Sequence, residues 1–589
     1  MNARSFLSAL LIGTVIFAMS AVGDSLLPVT AAAQTASEPI IYLNQAWSQD
    51  DRDWYYHFSQ GATVVSYDIF LNLEVADGQE LFRSDANTEH YGLITQPPGS
   101  PFNPDGLPIG ISKTVISAPQ WPGEETGEFA GVTCALCHEA QLNYKGKHVR
   151  IEGGAANTLD FQGYIQALNA SMHATLTDAA KFDRLAARIG ATSPDAKAKL
   201  RERFARQAAL TAEYATRSAA TPWPWGPARI DALSMINNRL TANLPAIPEN
   251  TSTPVAPVKP PFLWNAPQGL WTQWAAIVQD PLARNLGETM GVYMPINLTA
   301  SSPAEGLFAA NAAIPELDRV EQLLERLAPP SWPEDVFGKI DRDKAKAGKA
   351  LFVELCASCH NAWPYRWTEA NKYGKRFILV GLVPQSYVGT DHTQSEAIRA
   401  FAVTGGLIDK LPPPLRGKEV VPMQEFKLAL QREILERAVA KLKPTPAELV
   451  ELNGYRELPQ PPTPDRVWKA APRDGVWATP PFLHNGSVPT LYDLLLPASE
   501  RPKKFCIGRE FDPIKVGLDT TGGPGCFIFD TALLGNSNAG HSFQEGPRGN
   551  GVIGPLLTDA QRWELVEYLK SIPETPGRVT PFGGPPSGQ

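Results

Sequence analysis

Apolar positions recur at helical spacing in several stretches of this chain, and proline- and glycine-rich segments part them. Residues 68–82 read as a helix around a central Asp77-Gly78 break, and residues 175–219 as two amphipathic helices parted near 190–194. Residues 343–355 place Ala347, Gly348, Leu351 and Phe352 on one face, and residues 423–442 form a further long helical stretch. Residues 558–572 close the series, with Thr558 to cap and Trp563, Leu565, Val566, Tyr568 and Leu569 as the apolar face. Little of the chain reads as strand beyond a short hairpin near residues 140–152. The expected fold is therefore mainly α, with long irregular loops and little β.

Composition adds the spacing between elements. Proline takes 54 of 589 positions, which points to ordered loops and extended connections. Residues 244–267 hold seven of these prolines and read as a connection between domains. An aromatic cluster overlaps its end: Phe262, Trp264, Trp271 and Trp274. Such clusters are usually core, and this one suits a cofactor pocket equally well. The formal charge is −8, and no basic cluster of the kind nucleic acid requires is present.

The cysteines bring in the chemistry. Cys134-Ala135-Leu136-Cys137-His138 and Cys356-Ala357-Ser358-Cys359-His360 are two copies of the attachment signature of a c-type haem. Two thiols three residues apart can add to the two vinyl groups of one porphyrin, and the adjacent histidine then ligates the iron. The rival reading, two half-sites on one structural zinc, leaves each of those histidines without a purpose. Cys506 and Cys526 bracket a glycine-rich loop at 521–525 and are expected to form a disulfide in an oxidising compartment. Export is expected as well. Arg4, an uncharged apolar stretch over 6–23 and Ala31-Ala32-Ala33 before Gln34 read as a cleaved signal peptide, giving a periplasmic or secreted protein. No other apolar stretch has spanning length, so no stable membrane insertion is expected.

The length allows two or three domains. Cytochrome c domains begin with a helix that delivers Cys-x-x-Cys-His and close with an amphipathic helix packed across it. That places one such electron-transfer domain at 336–575. The remaining expected parts are a signal peptide at 1–33, an N-terminal haem c domain at 34–255 that carries the active haem, a connecting segment at 256–335 lining the first haem pocket, and a tail at 576–589.

Seven of the nine histidines lie outside the two motifs, and His541 and His484 stand out among them. His541 ends a loop of small residues, 535–541 (GNSNAGH), able to approach a porphyrin face. His484 lies in a proline-aromatic turn, 481–487 (PFLHNGS). Around them, residues 473–495 (RDGVWATPPFLHNGSVPTLYDLL) resemble the second-haem region of the bacterial di-haem cytochrome c peroxidase superfamily. The likeness is greatest to the branch of rubber (latex) oxygenases and di-haem fatty-acid oxygenases. Residues 144–154, 281–291 and 536–541 share it, so it covers most of the chain after the signal segment.

The resemblance implies two covalently bound haem c groups. It implies His541 as the distal ligand opposite His360, with His484 supporting that haem by a hydrogen bond and leaving the iron alone. It implies His138 on one side of the first haem and an open position on the other, lined by Leu270, Trp271 and Leu286. A rubber oxygenase is expected to carry an aromatic residue where this chain has Leu286, and at Leu270 too, which weighs against a polymer substrate. The resemblance also allows a calcium ion between the domains, although no ligand loop announces one.

Function then follows from coordination. A bis-histidine iron only exchanges electrons, whereas an iron with a free face can activate oxygen or peroxide. The leading expectation is an exported di-haem oxygenase that uses dioxygen at the N-terminal haem to oxidise an unsaturated lipid-type substrate, a fatty acid before polyisoprene. The second is a hydrogen peroxide-reducing peroxidase fed by a small redox protein, which needs an acid-base group near the iron. Glu288 is the nearby carboxylate, and an ion pair with Arg284 one helical turn away is the plainer expectation for it. The third is a non-catalytic di-haem electron carrier, with Met172, Met235, Met290, Met294 or Met423 closing the first haem.

Overall fold

Two helices cross at a glycine to build the C-terminal half. In the computed structural model, Arg342–Leu355 starts at Asp341, whose carboxylate accepts the Lys344 N–H. Asp559–Ser571 starts in a capping box of Thr558 and Gln561. They meet at Gly348, where an added Cβ would lie 1.9 Å from the Glu564 carbonyl oxygen. Only hydrogen fits there, so the backbones touch, and Phe352 packs on Tyr568 at 5.1 Å between ring centroids. The expected closing helix is thus in place, and the stretch at 423–442 is observed as Met423–Ala440.

The structure describes residues 39–585 except 398, 462–465 and 524–525. The expected signal peptide at 1–33 and the last residues of the expected tail lie outside the described residues. From Pro39 onward the chain gathers into one compact unit.

The expectation of a mainly α fold with little β is overturned. Helix takes 36% and strand 14%, the strand in sixteen short pieces among the described residues, so the fold is mixed α and β. These strands escape pattern reading because they are short and often buried on both faces. Gly127–Val132 buries its last four residues in a row, which looks like an apolar run and lacks the alternation of a half-exposed strand.

Two three-stranded sheets bracket the first Cys-x-x-Cys-His. One sets Gly127–Val132 between Val65–Ser66 and Ile111–Ile116, all antiparallel. The other sets Lys147–Glu152 between antiparallel Glu139–Tyr144 and parallel Ile40–Tyr42. The hairpin expected near 140–152 is therefore present, turning at Lys145-Gly146, both with positive φ.

Beside these sheets, Phe161–Thr177, Ala179–Ile189 and Pro194–Glu213 supply helices, the last two parted at left-handed Gly190 and the Ser193 cap as predicted. The single helix expected over 68–82 is corrected. Tyr67–Asn72 is helical, and then Glu74 bridges back to Leu81. The buried Glu74 carboxylate is held by Arg184 at 2.7 Å and Arg188 at 2.6 Å, both on Ala179–Ile189, and a continued helix would withdraw it from them.

Within the proline-rich stretch 244–267, residues 254–263 run extended and mostly buried, after a short 3-10 turn at Pro248–Asn250. Val258 pairs with Ile230, the Lys259 N–H donates to the His484 carbonyl, and the Leu263 N–H donates to Gly153. The largest core cluster accordingly draws on residues from Leu43 to Ile572, with Trp264, Trp332 and Trp477 among them. Cys506 and Cys526 form the expected disulfide, their Cα atoms 5.7 Å apart.

The helix crossing generates a prediction. Gly348→Ala must push the two backbones apart, so thermal or denaturant unfolding is expected to show a loss of about 1–3 kcal/mol, the usual cost of overpacking. Unchanged stability would contradict the backbone contact.

Candidate haem cavities

The first motif leaves the Gly127–Val132 strand at Thr133, whose hydroxyl accepts the Ala135 N–H and starts a single tight turn, Cys134–Leu136. That turn brings Cys134, Cys137 and His138 onto one cavity of about 170 Å³. His138 Nδ1 lies 2.8 Å from the Pro261 carbonyl oxygen. A carbonyl only accepts, so Nδ1 carries the proton and Nε2 keeps its lone pair for a metal. Burial holds His138 down at about 4, which keeps the ring neutral near pH 7.

The second motif instead follows directly on the C-terminal end of Arg342–Leu355. Cys356, Cys359 and His360 line another cavity, of about 200 Å³, together with His484 and His541. His360 Nδ1 lies 3.1 Å from the Ala471 carbonyl oxygen, which again leaves Nε2 free. The His541 ring faces it across the cavity, 6.3 Å between centroids. Metal–imidazole bonds of about 2 Å on each side, extended by the half-width of each ring, put two ligating imidazoles about 6 Å apart. The pair therefore fits one iron held between them. His541 Nδ1 is buried without a hydrogen-bond partner among the described residues, and burial holds the ring down at about 3.

His541 stands at φ 44, after Gly540 at φ 71. A Cβ on Gly540 would lie 2.2 Å from the Gly389 carbonyl carbon, so the loop needs glycine to approach that segment. Buried Arg501 clamps the loop by donating to the Asn538, Gly540 and His541 carbonyls at 2.7, 2.8 and 2.7 Å. Sequence reasoning missed Arg501, since nothing in its local sequence marks it. His484 lies in the same cavity, its ring 4.3 Å from Trp468, and burial holds it down at about 4.

Lys259, Phe262, Trp274 and Lys469 line both cavities and form the wall between them. Trp274 Nε1 donates to the Lys259 carbonyl at 2.8 Å, and the Lys469 N–H donates to the Trp274 carbonyl at 2.7 Å. Two of the four clustered aromatics are thus at the wall, and Trp264 stacks behind Phe262 at 4.5 Å. Burial lowers both lysines to about 7, with Arg473 lowering both further and Arg284 also acting on Lys469. The Lys469 amine has no ion pair among the described residues, and a half-buried basic group of this kind suits an acidic cofactor edge.

The three residues expected at the open face are not found there, whereas the nearby carboxylate is. Glu288 lines the first cavity; Trp271, Leu270 and Leu286 do not. Helical phase explains Leu286. On Pro281–Gly291, positions 284, 285, 288 and 291 face the cavity, whereas Leu282, Leu286 and Met290 pack in a different core with Phe426 and Leu430. Trp271 packs with Ala276, Val380 and Val467, beside Leu270. The apolar wall comes instead from Leu233, Ile236 and Ile277, of which the first two share a face of Ala232–Asn237.

The expected ion pair of Glu288 with Arg284 is also corrected. Arg284 pairs with Glu321 on the neighbouring helix Ile314–Leu324, and Glu288 accepts a 2.6 Å hydrogen bond from Gln273. Burial raises the Glu288 carboxyl, and Gln273, Arg284 and Lys427 hold that rise back. Of the five methionines considered as closing ligands, Met235 lines this cavity.

The two histidines of the second cavity generate a prediction. In the haem-loaded protein, His541→Ala is expected to turn one low-spin haem high-spin, with added imidazole restoring it, whereas His484→Asn leaves the spin state alone. Optical spectra that change with His484 and stay fixed with His541 would reverse the two roles.

Comparison with known proteins adds relatives. Residues 467–506, which include Trp468, Arg473 and His484 of the second cavity, match a family model described as RoxA-like, cytochrome c-like. A cytochrome c-like segment implies covalently bound haem c. Over 581 aligned positions the chain is 34% identical to the uncharacterised protein y4iJ of Sinorhizobium fredii (strain NBRC 101917 / NGR234), covering 91% of this chain and 94% of that protein. Uncharacterised y4iM of the same organism is 27% identical over 328 positions, 53% of this chain and 63% of its own length.

Proposed function

Since the chain belongs to the family of y4iJ and carries a RoxA-like cytochrome c segment, we propose that this haem oxidoreductase is an exported di-haem oxygenase acting on an unsaturated lipid-type substrate. One haem c would be held by Cys134, Cys137 and His138, the other by Cys356, Cys359 and His360 together with His541. The observation that carries this reading is the asymmetry of the cavities. The second presents a facing histidine 6.3 Å from His360, and the first has His138 as the sole histidine among its lining residues.

A haem with a free axial position supplies oxygen or peroxide activation, and a bis-histidine haem supplies electron transfer. Leu233, Ile236 and Ile277 hold an apolar chain against the first cavity and exclude water from it. Glu288, raised by burial and positioned by the hydrogen bond it accepts from Gln273, places an acid-base carboxyl on the first cavity. The aromatic wall of Phe262 and Trp274 gives electrons a short path between the cavities. Export is part of the proposal, and the Cys506–Cys526 disulfide supports it.

Glu288 also favours a second reading. An acid-base carboxyl on the first cavity suits reduction of hydrogen peroxide, with electrons delivered by a small redox protein.

The test is oxygen consumption with oleate by the haem-loaded protein. Ile236→Asp places a charge on the apolar wall and is expected to lower turnover by about tenfold or more, with haem content unchanged. Rapid peroxide turnover with reduced cytochrome c and no oxygen uptake with lipid would favour the peroxidase. Full oleate turnover in the Ile236→Asp variant would place the pocket elsewhere.

A further inference from the structure

A cleft of about 860 Å³ adjoins the first cavity, with Leu233, Ile236, Gln273, Ile277 and Arg284 lining both. One face of Met423–Ala440 forms the far side of the cleft. Successive turns of that helix present Lys427, Gln431, Leu435 and Val439. At the rim stand Leu428, Leu449 and Leu458, which are 40%, 38% and 44% exposed, unusual values for leucines gathered around one opening. The cleft thus combines exposed leucines at its rim with an apolar side shared with the first cavity.

Charge breaks this pattern at one buried position. Among the charged residues of the cleft, Asp280 caps a helix through the Ala283 N–H, and Arg284 is paired with Glu321. Arg432 and Glu436 are exposed and opposite in sign. Lys427 differs from all of these. It is 3% exposed, and its ammonium makes no hydrogen bond or ion pair among the described residues. Burial lowers it to about 8, with Glu288 acting in the opposite sense, so it is cationic at neutral pH. An unpaired buried cation is costly unless a ligand supplies the missing anion.

We propose that Lys427 is the anion anchor of this cleft, and that the ligand is a long-chain aliphatic monocarboxylate. Its carboxylate pairs with Lys427, and its hydrocarbon tail passes Leu233, Ile236 and Ile277 into the first cavity. A neutral polymer would leave the ammonium buried and unpaired, and a head group of higher charge would meet a single cation. The proposal rests on the oxygenase reading for what happens to the tail, but the binding it describes is separate.

The experiment is calorimetric binding of submicellar oleate and of oleyl alcohol to the haem-loaded protein, with oxygen uptake measured in parallel. Lys427→Met, which keeps length and removes charge, is expected to weaken oleate by about 10- to 100-fold, the range for a charge-assisted hydrogen bond. The alcohol is expected to bind the variant and the parent alike, and Lys427→Arg to retain oleate within a few-fold. Unchanged oleate affinity in Lys427→Met overturns the proposal, as does an equal loss for the alcohol, a loss of haem from the variant, or failure of the parent to bind oleate. If oleate binds through Lys427 without oxygen uptake, the anchor stands and the oxygenase reading falls. If Lys427→Met consumes oxygen with the KM of the parent, the anchor falls and the oxygenase reading stands.

Discussion

One backbone carbonyl aims each proximal imidazole, Pro261 for His138 and Ala471 for His360. Everything else around the cavities depends on those two carbonyls being in place. Pro261 belongs to the proline-rich stretch, which cannot drift because Val258, Lys259 and Leu263 are tied to Ile230, His484 and Gly153. Ala471 follows Val467–Ala470, which pairs in register with Gly381–Pro384. Proline suits the first of these segments. Its restricted φ keeps the chain extended without help from a ladder, and its missing N–H leaves fewer buried donors to satisfy.

The same two segments also make the wall between the cavities. Lys259 and Phe262 come from the proline-rich stretch, and Lys469 comes from the strand before Ala471. Orientation of the ligands and separation of the cavities are therefore set by one group of backbone hydrogen bonds. Asymmetry enters on the far side of each cavity. The second is closed by His541, on a loop that Arg501 pins through three carbonyls, whereas the first opens toward Leu233, Ile236 and Ile277.

What could be read in the sequence was local. Both Cys-x-x-Cys-His runs, the Thr558 cap, the apolar face of the last helix and the small-residue loop before His541 each state their role within a few positions. The disulfide partners were reachable too, because two cysteines remained after the motifs. The residues that escaped act at long range. Arg501 reaches carbonyls about forty positions away, and Leu286 was placed on the cavity although helical phase turns Glu288 there instead. Strands of two to six residues, several of them buried in unbroken runs, leave little alternation to detect, and so the sequence reads as more helical than the fold is.

The central claim is that the two cavities hold irons in different states, one closed by two histidines and one open. Electron paramagnetic resonance of the haem-loaded parent protein, taken with its iron content, tests this most directly. Two haem c per chain are expected, with one low-spin bis-histidine signal and one signal that is high-spin or changes when oxygen or an external ligand is added. Two low-spin signals that stay unchanged through reduction and every added ligand would contradict it.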